Sequence, residues 1–82
     1  MNNKKPILLT KEGYEEIKEE LNDLINVKRP ANIEAIKEAR ALGDLSENAD
    51  YDAARNEQAE IEAKIKKLET ILEDVQIIES VN

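Results

Sequence analysis

The chain has 82 residues, of which 38% are charged and two are aromatic, and its formal net charge is −7 at pH 7. A chain of this length forms one small domain, and the acidic balance argues against a protein that coats nucleic acid by bulk electrostatics. The sequence has no cysteine and no histidine, which excludes disulfides, thiol chemistry, zinc enzymes and Ser-His triads.

The N-terminal segment has a short apolar run after two lysines. Lys4 and Lys5 precede Pro6, and the apolar residues 7–9 follow. This run is too short for the core of a signal peptide or for a membrane span. We therefore expect a cytoplasmic protein that does not cross a membrane.

A first amphipathic helix is predicted over about residues 11–42. Thr10 is a good N-cap, and Gly43 is a good C-terminal stop. Two sets of apolar residues in different phases follow the cap: Tyr14, Ile17, Leu21 and Leu24, then Ile33, Ile36 and Ala39. Pro30 lies between the two phases and cannot donate a backbone hydrogen bond. We therefore expect a kink or a short break near residues 27–30.

A second, more regular helix is predicted over about residues 47–75. Its apolar seam has alternating spacings of three and four residues, which is typical of a coiled coil. The seam consists of Tyr51, Ala54, Gln58, Ile61, Ile65, Leu68, Leu72 and Val75. Ser46 is the predicted N-cap, and Glu47 and Asp50 suit the first turn, where the helix dipole favours negative charge.

Two long helices joined by a short break predict an all-α fold, a long antiparallel coiled-coil hairpin with its tip at residues 43–46. The seam near the tip contains alanine, whereas the seam near the base contains isoleucine and leucine. Small residues let helices approach closely, so the hairpin should taper toward the tip. A narrow hairpin with a charged end suits insertion into a confined space.

The pattern changes after Val75. Gln76-Ile77-Ile78 has no helical stripe and predicts the start of a strand. We identify no partner strand elsewhere in the chain, so we expect that strand to belong to a larger protein. The expected organisation is a hairpin over residues 1–76 and the start of a linker or strand over residues 77–82.

The tip is acidic. Residues 43–51 contain several acidic side chains and no basic one. Asp44 and Glu47 are three residues apart, close enough in a turn to bind one cation together. From the spacing alone, however, solvation of the turn and capping of the helix explain these carboxylates better.

Several segments resemble the GreA/GreB family of bacterial transcript-cleavage factors. The residues that carry the resemblance to the tip of that family are Ala39-Arg40, Gly43-Asp44-Leu45-Ser46-Glu47-Asn48-Ala49-Asp50-Tyr51 and Ala53-Ala54-Arg55. Leu9-Thr10, Gly13, Arg29-Pro30 and residues 75–78 also fit, so the resemblance covers essentially the whole chain. In this family an N-terminal hairpin of this kind precedes an FKBP-like C-terminal domain, which this chain lacks.

The resemblance implies a transcription elongation factor domain that is not itself an enzyme. In the family, the hairpin enters the secondary channel of bacterial RNA polymerase and stimulates endonucleolytic cleavage of the nascent RNA in backtracked or arrested complexes. By carry-over, Asp44 and Glu47 assist the polymerase active site by holding a catalytic Mg²⁺ jointly with the polymerase. Mg²⁺ often uses only one or two protein carboxylates, which fits this pair. No cofactor of its own is expected.

The resemblance also implies contacts with the RNA 3′ segment or the polymerase at Arg40, Asn48, Tyr51 and Arg55, and a contact with DNA within the elongation complex. Each of the four residues has a structural alternative. The arginines can be solvated or ion-paired, Asn48 can satisfy local backbone groups, and Tyr51 can pack in the seam.

Two other functions stay open. One is a relative that enters the same channel and inhibits RNA polymerase, although the intact segment 43–48 argues against it because such inhibitors tend to differ at the tip. The other is a structural coiled-coil module, which would self-associate through its seam, whereas a self-folded hairpin should be a monomer. The oligomeric state distinguishes these two outcomes.

Overall fold

The computed structural model describes residues 7–44 and 47–78. The elements in chain order are strand β1 (Ile7–Thr10), helix α1 (Lys11–Asp23), a π-helical turn (Leu24–Lys28), helix α2 (Arg29–Ala41), helix α3 (Ala49–Asp74) and strand β2 (Val75–Ile78). The first arm, from α1 through α2, packs against α3 along an elongated molecule 59 Å in its longest dimension. The predicted helical hairpin is therefore confirmed. None of the described helices is both long and apolar enough to cross a membrane.

The ends of the first arm follow from the predicted capping residues. Thr10 Oγ1 accepts a hydrogen bond from the backbone N–H of Gly13 at 3.0 Å, which confirms Thr10 as the N-cap. At the other end α2 stops at Ala41, and Gly43 adopts a φ of 120°. Glycine accepts this conformation without the steric cost that other residues pay, so Gly43 ends the arm as predicted.

The irregularity predicted near Pro30 is a π-helical turn just before it. The backbone N–H of Arg29 donates to the carbonyl of Leu24, five residues earlier, and Pro30 lies in the first turn of α2. Proline has no backbone N–H to donate, and it is tolerated in the first turn of an α-helix. The wider π-helical turn precedes Pro30, and the arm continues through both without a break.

The π-helical turn changes which residues of α2 face α3. Leu24, the first residue of the turn, is buried, and Asn32, Ile36 and Ala39 are buried after the turn. Ile33, predicted to lie in the seam, is 49% exposed, so that prediction is wrong. A wider turn rotates the following residues about the helix axis, which places the polar Asn32 in the seam instead.

Helix α3 starts later than predicted. Asn48 is its N-cap, and Glu47 lies outside the helix; the predicted cap, Ser46, lies outside the described residues. The seam of α3 is confirmed by the burial of Ala54, Ile61, Ile65 and Leu68. Val75, the last predicted seam residue, belongs to β2.

The core changes in character along the hairpin. Near the base, Leu24, Ile61, Ile65 and Leu68 form one cluster of buried side chains. The partly buried residues packed against it are Ile17, Leu21, Ile25 and Ile71. Nearer the tip, the buried residues are Asn32, Ile36, Ala39 and Ala54, so small side chains enter the seam toward the tip as predicted.

The expectation that this chain offers no partner for its C-terminal strand was wrong. β1 and β2 pair in parallel, with Ile7 opposite Val75 and Thr10 opposite Ile78. Parallel strands need a long crossover connection, and here the whole hairpin is that connection. The antiparallel arms bring the start of α1 and the end of α3 to the same end of the molecule, which places the two strands side by side.

An ion pair between Arg29 and Glu62 joins the arms beside the π-helical turn. Arg29 Nε and Nη2 donate to Glu62 Oε2 and Oε1 at 2.8 and 2.7 Å, a bidentate geometry. The hydrogen bonds from Arg29, more than its charge, lower the pKa of the Glu62 carboxyl, and the bonds to Glu62 raise the pKa of the Arg29 guanidinium.

Glu62→Gln should therefore lower the melting temperature slightly at neutral pH, and less so in acid. A carboxyl whose pKa is lowered on folding stabilises the fold at pH values above its ordinary pKa of about 4.3. This stabilisation is lost as the pH falls through the lowered pKa. Melting curves of both proteins between pH 7 and pH 2 check this. A difference that grows as the pH falls would contradict it.

Candidate functional site at the hairpin tip

The tip brings Asp44 and Glu47 to the two ends of one turn. The backbone N–H of Glu47 donates to the carbonyl of Asp44 at 3.4 Å, and both residues are exposed. A shallow depression beside them is lined by Leu42, Asp44, Glu47, Asn48, Ala49 and Asp50. The expected proximity of the two residues in a turn is thus present, with both of them open to solvent.

The two helix ends give the tip an asymmetric electrostatic field. Arg40 lies in the last turn of α2, where a cation complements the helix dipole, and Asp50 and Asp52 lie in the first turn of α3, where carboxylates do so. Glu47 is just outside that N-terminus. The carboxylates therefore lie at the end of the helix that favours negative charge.

Asn48 links the two arms at the tip. Its Oδ1 accepts from the backbone N–H of Tyr51 at 3.0 Å, and its Nδ2 donates to the carbonyl of Ala39 at 2.6 Å. The acceptor and the donor of the Asn48 side chain thus both form hydrogen bonds within the fold. This agrees with the structural role considered from the sequence, in which Asn48 satisfies local backbone groups. Contact of Asn48 with polymerase or RNA stays a prediction.

Tyr51, Arg55 and Arg40 lie close to the tip along the two arms. Tyr51 is half-buried, and the Arg55 guanidinium lies 6.0 Å from the centre of its ring, a cation–π contact within α3. Arg40 and Arg55 are exposed on opposite arms. This arrangement leaves both guanidinium groups accessible, and their contact with RNA stays a prediction.

Asn32 is a residue that sequence reasoning missed. It is 3% exposed, and its Nδ2 donates to the carbonyl of Ala54 at 2.9 Å and to Glu57 Oε1 at 3.1 Å. The signal that could have identified Asn32 is its spacing: Ile36 follows it by four residues, and Ala39 follows Ile36 by three, as in a coiled-coil seam. The adjacent apolar residue, Ile33, was assigned to the seam in its place.

The donor set predicted at the tip consists of two exposed carboxylates, those of Asp44 and Glu47. Among residues 7–44 and 47–78, no group of three or more histidine, cysteine, aspartate or glutamate side chains could hold a metal ion. Mg²⁺ keeps several waters and is commonly bound through one or two carboxylates together with substrate phosphates. The donor chemistry of Asp44 and Glu47 therefore fits Mg²⁺, and their holding it jointly with the polymerase stays a prediction.

Comparison with known proteins gives one consistent result. Residues 7–77 match the GreA/GreB model described as "Transcription elongation factor, N-terminal". The chain is 61% identical over 75 residues to the transcription elongation factor GreA of Mesoplasma florum, an alignment covering 92% of this chain and 48% of that protein. It is 60% identical over 78 residues to GreA of Acholeplasma laidlawii, covering 95% of this chain and 49% of that protein.

A more distant relative agrees. GreA of Staphylococcus epidermidis is 49% identical over 79 residues, covering 96% of this chain and 50% of that protein. The chain thus spans about half the length of the curated relatives it matches. Because the family model matches nearly the whole chain, this protein belongs to the GreA/GreB family of transcription elongation factors and corresponds to its N-terminal part.

Proposed function

We propose that this chain binds bacterial RNA polymerase through its secondary channel and stimulates the polymerase's own endonucleolytic cleavage of nascent RNA in backtracked or arrested complexes. The observation that carries the proposal is the pair of exposed carboxylates, Asp44 and Glu47, at the two ends of the turn that joins the arms. Membership of a family of elongation factors supports it. On this proposal the chain is not an enzyme by itself.

The chemical role of the tip follows from its donor set. Asp44 and Glu47 would bind one Mg²⁺ whose remaining ligands come from the polymerase, the RNA and water. In hydrolysis assisted by two metal ions, such an ion stabilises the attacking oxygen or the leaving oxygen. Glu47 lies just outside the N-terminus of α3, an end of the helix at which the dipole favours negative charge.

The exposed arginines near the tip would orient the RNA 3′ segment. Arg40 and Arg55 can each form charge-assisted hydrogen bonds to phosphate oxygens, and the two arms present them on both sides of the hairpin. The ring of Tyr51, partly covered by Arg55, would support the same segment by packing. A contact with DNA within the elongation complex is part of the same proposal.

We further propose that residues 77–82 lead toward an FKBP-like C-terminal domain, as the family resemblance implies, and that the chain acts as a monomer. The matched region makes up about half of each relative, which supports the first point. The apolar seams of the two arms pack against each other, which supports the monomeric state.

The function is tested on purified, stalled elongation complexes whose RNA is labelled at its 5′ end. Adding the chain with Mg²⁺ should shorten the RNA by a few nucleotides and restore extension when nucleotides are supplied. Slower synthesis without cleavage would favour a channel-binding inhibitor instead. Self-association in sedimentation, with no binding to polymerase, would favour a structural coiled-coil module.

The chain alone should need a much higher concentration than a full-length relative to reach half of its maximal effect. A tethered second domain raises the effective concentration of the tip, and linking two binding modules raises avidity by about 10²–10⁴-fold. The described hairpin has only two tyrosines and no other aromatic anchors of the kind that dominate tight interfaces. Titrating cleavage with this chain and with GreA of Mesoplasma florum checks this; equal half-saturation would show that the hairpin carries the binding energy by itself.

A further inference from the structure

The tip half of the hairpin has fewer large buried side chains than the base to hold the two helices in register. Ile36 is buried there together with Ala39 and Ala54, whereas the cluster of large buried side chains lies nearer the base. Small side chains make shallow knobs and holes, so they oppose sliding of one helix along the other only weakly. A directional interaction between the arms would therefore add to their alignment near Asp44 and Glu47.

Two asparagines provide reciprocal bonds between the arms in this segment. Asn32 on α2 donates from Nδ2 to the carbonyl of Ala54 on α3 at 2.9 Å. Asn48, at the start of α3, donates from Nδ2 to the carbonyl of Ala39 on α2 at 2.6 Å. A polar asparagine in a coiled-coil seam specifies register, and here each asparagine recognises a carbonyl at one particular height on the opposite arm.

Asn48 differs from Asn32 because its bonds span the tip turn itself. The carbonyl of Ala39 that it reaches also accepts from the backbone N–H of Leu42, in the last turn of the first arm. The Oδ1 of the same side chain accepts from Tyr51 N–H in the first turn of α3. One amide therefore joins the final turn of α2 to the first turn of α3, with Asp44 and Glu47 between them.

We propose that Asn48 is a positioning residue: it fixes the spacing of the two ends of the tip turn and thereby the placement of Asp44 and Glu47. The expected effect on RNA cleavage rests on the proposed function. The fixing of the tip turn rests on the two hydrogen bonds of Asn48. The role needs one group that accepts at the helix end and donates across to the other arm. Aspartate only accepts, lysine only donates, and a carboxamide does both without adding charge to an acidic tip.

The decisive variant is Asn48→Ser, compared with Asn32→Ser as the matched control. Serine is a good N-cap, so Asn48→Ser keeps an acceptor for Tyr51 N–H, while its shorter side chain lacks the amide that donates to the Ala39 carbonyl. Asn32→Ser removes the same kind of bond between the arms at a buried site away from the tip turn. Asn48→Asp is a second variant, which keeps the cap and lacks the donor.

In the cleavage assay, Asn48→Ser and Asn48→Asp should lower the maximal rate by about 10- to 100-fold, because a displacement of about 1 Å can cost that much. The half-saturating concentration should change by less than about threefold, since the surfaces along the arms are intact. Asn32→Ser should lower the melting temperature at least as much as Asn48→Ser does, and keep a maximal rate within about twofold of the original. Equal losses of maximal rate in the two serine variants would overturn the proposal, because loss of stability would then explain both.

A second measurement needs no polymerase. The chain has no cysteine, so pairs of introduced cysteines can carry spin labels at exposed positions on the two arms. The tip pair is Lys37 and Asn56, and the base pair is Glu16 and Glu73. In Asn48→Ser the distance distribution of the tip pair should broaden or shift while that of the base pair is unchanged. An unchanged tip pair would overturn the proposal.

The two measurements separate this inference from the proposed function. If the original chain stimulates no cleavage at any concentration, the proposed function fails, and the spin-label distances alone decide whether Asn48 fixes the tip. If the original chain is active and Asn48→Ser retains its full maximal rate, the proposed function stands and the positioning role is wrong.

Discussion

Replacing Asp44 or Glu47 with alanine should lower the maximal rate of stimulated RNA cleavage by about 100-fold or more, while folding and polymerase binding change little. Loss of a partner that only supports a metal ligand already costs about 10–100-fold, and these residues are proposed as ligands themselves. Both side chains are exposed, and exposed substitutions usually change the free energy of unfolding by no more than about 0.5 kcal/mol.

The control for this prediction is Asp52→Ala. Asp52 is also exposed, acidic and in the first turn of α3, so its replacement removes the same charge from the same end of the hairpin. Its maximal rate should stay close to that of the original chain. A comparable loss in all three variants would mean that the tip acts through its overall negative field, and the proposed metal ligation would be abandoned. Loss of activity only in proportion to loss of helicity or binding would lead to the same conclusion.

The largest expected loss of stability comes from Ile65→Ala. Ile65 is 3% exposed and lies in the buried cluster near the base. Truncating a buried isoleucine to alanine costs about 2–5 kcal/mol, and a domain of this size has a free energy of unfolding of about 4–12 kcal/mol. The variant should therefore lose much of its total stability, seen as a lower midpoint of urea unfolding followed by circular dichroism.

Ile33→Ala is the matched control, because the same substitution is made at a residue that is 49% exposed. It should change the free energy of unfolding by about 0.5 kcal/mol or less, since alanine also has the higher helix propensity. If Ile33→Ala costs as much as Ile65→Ala, the placement of Ile33 outside the seam is wrong. The slope of unfolding against urea should be the same in both variants, so that their midpoints compare stability directly.

The parts of the fold that the sequence predicts well are those set by local chemistry. Thr10 and Gly43 bound the first arm because an N-cap hydroxyl and a residue with positive φ are local requirements. The seam of α3 was predicted because no proline interrupts it. Ile33 was misplaced because the π-helical turn shifts the phase by an amount that Pro30 alone does not specify.

The parts that the sequence does not predict depend on contacts across the hairpin. β1 is four residues long and has little pattern of its own, and its partner follows the entire hairpin. Asn48 caps α3 through its Oδ1, and its Nδ2 also reaches the carbonyl of Ala39 on the other arm, a contact that no local pattern reveals. At the tip, Asp44 and Glu47 were identified by their resemblance to a known motif, since spacing alone favoured a solvated turn.

The parallel pairing of β1 and β2 also has a consequence for the order in which the molecule assembles. Ile7 and Val75 are 68 positions apart (75 − 7), whereas the tip turn joins the helices across only a few residues. The entropy lost on closing a loop grows with its length, so we expect the arms to pair from the tip turn first and the strands to meet last. An isolated two-stranded sheet is marginally stable, so it should also be the first element to open. The end of the molecule opposite the tip would then be released transiently without loss of the helical seam.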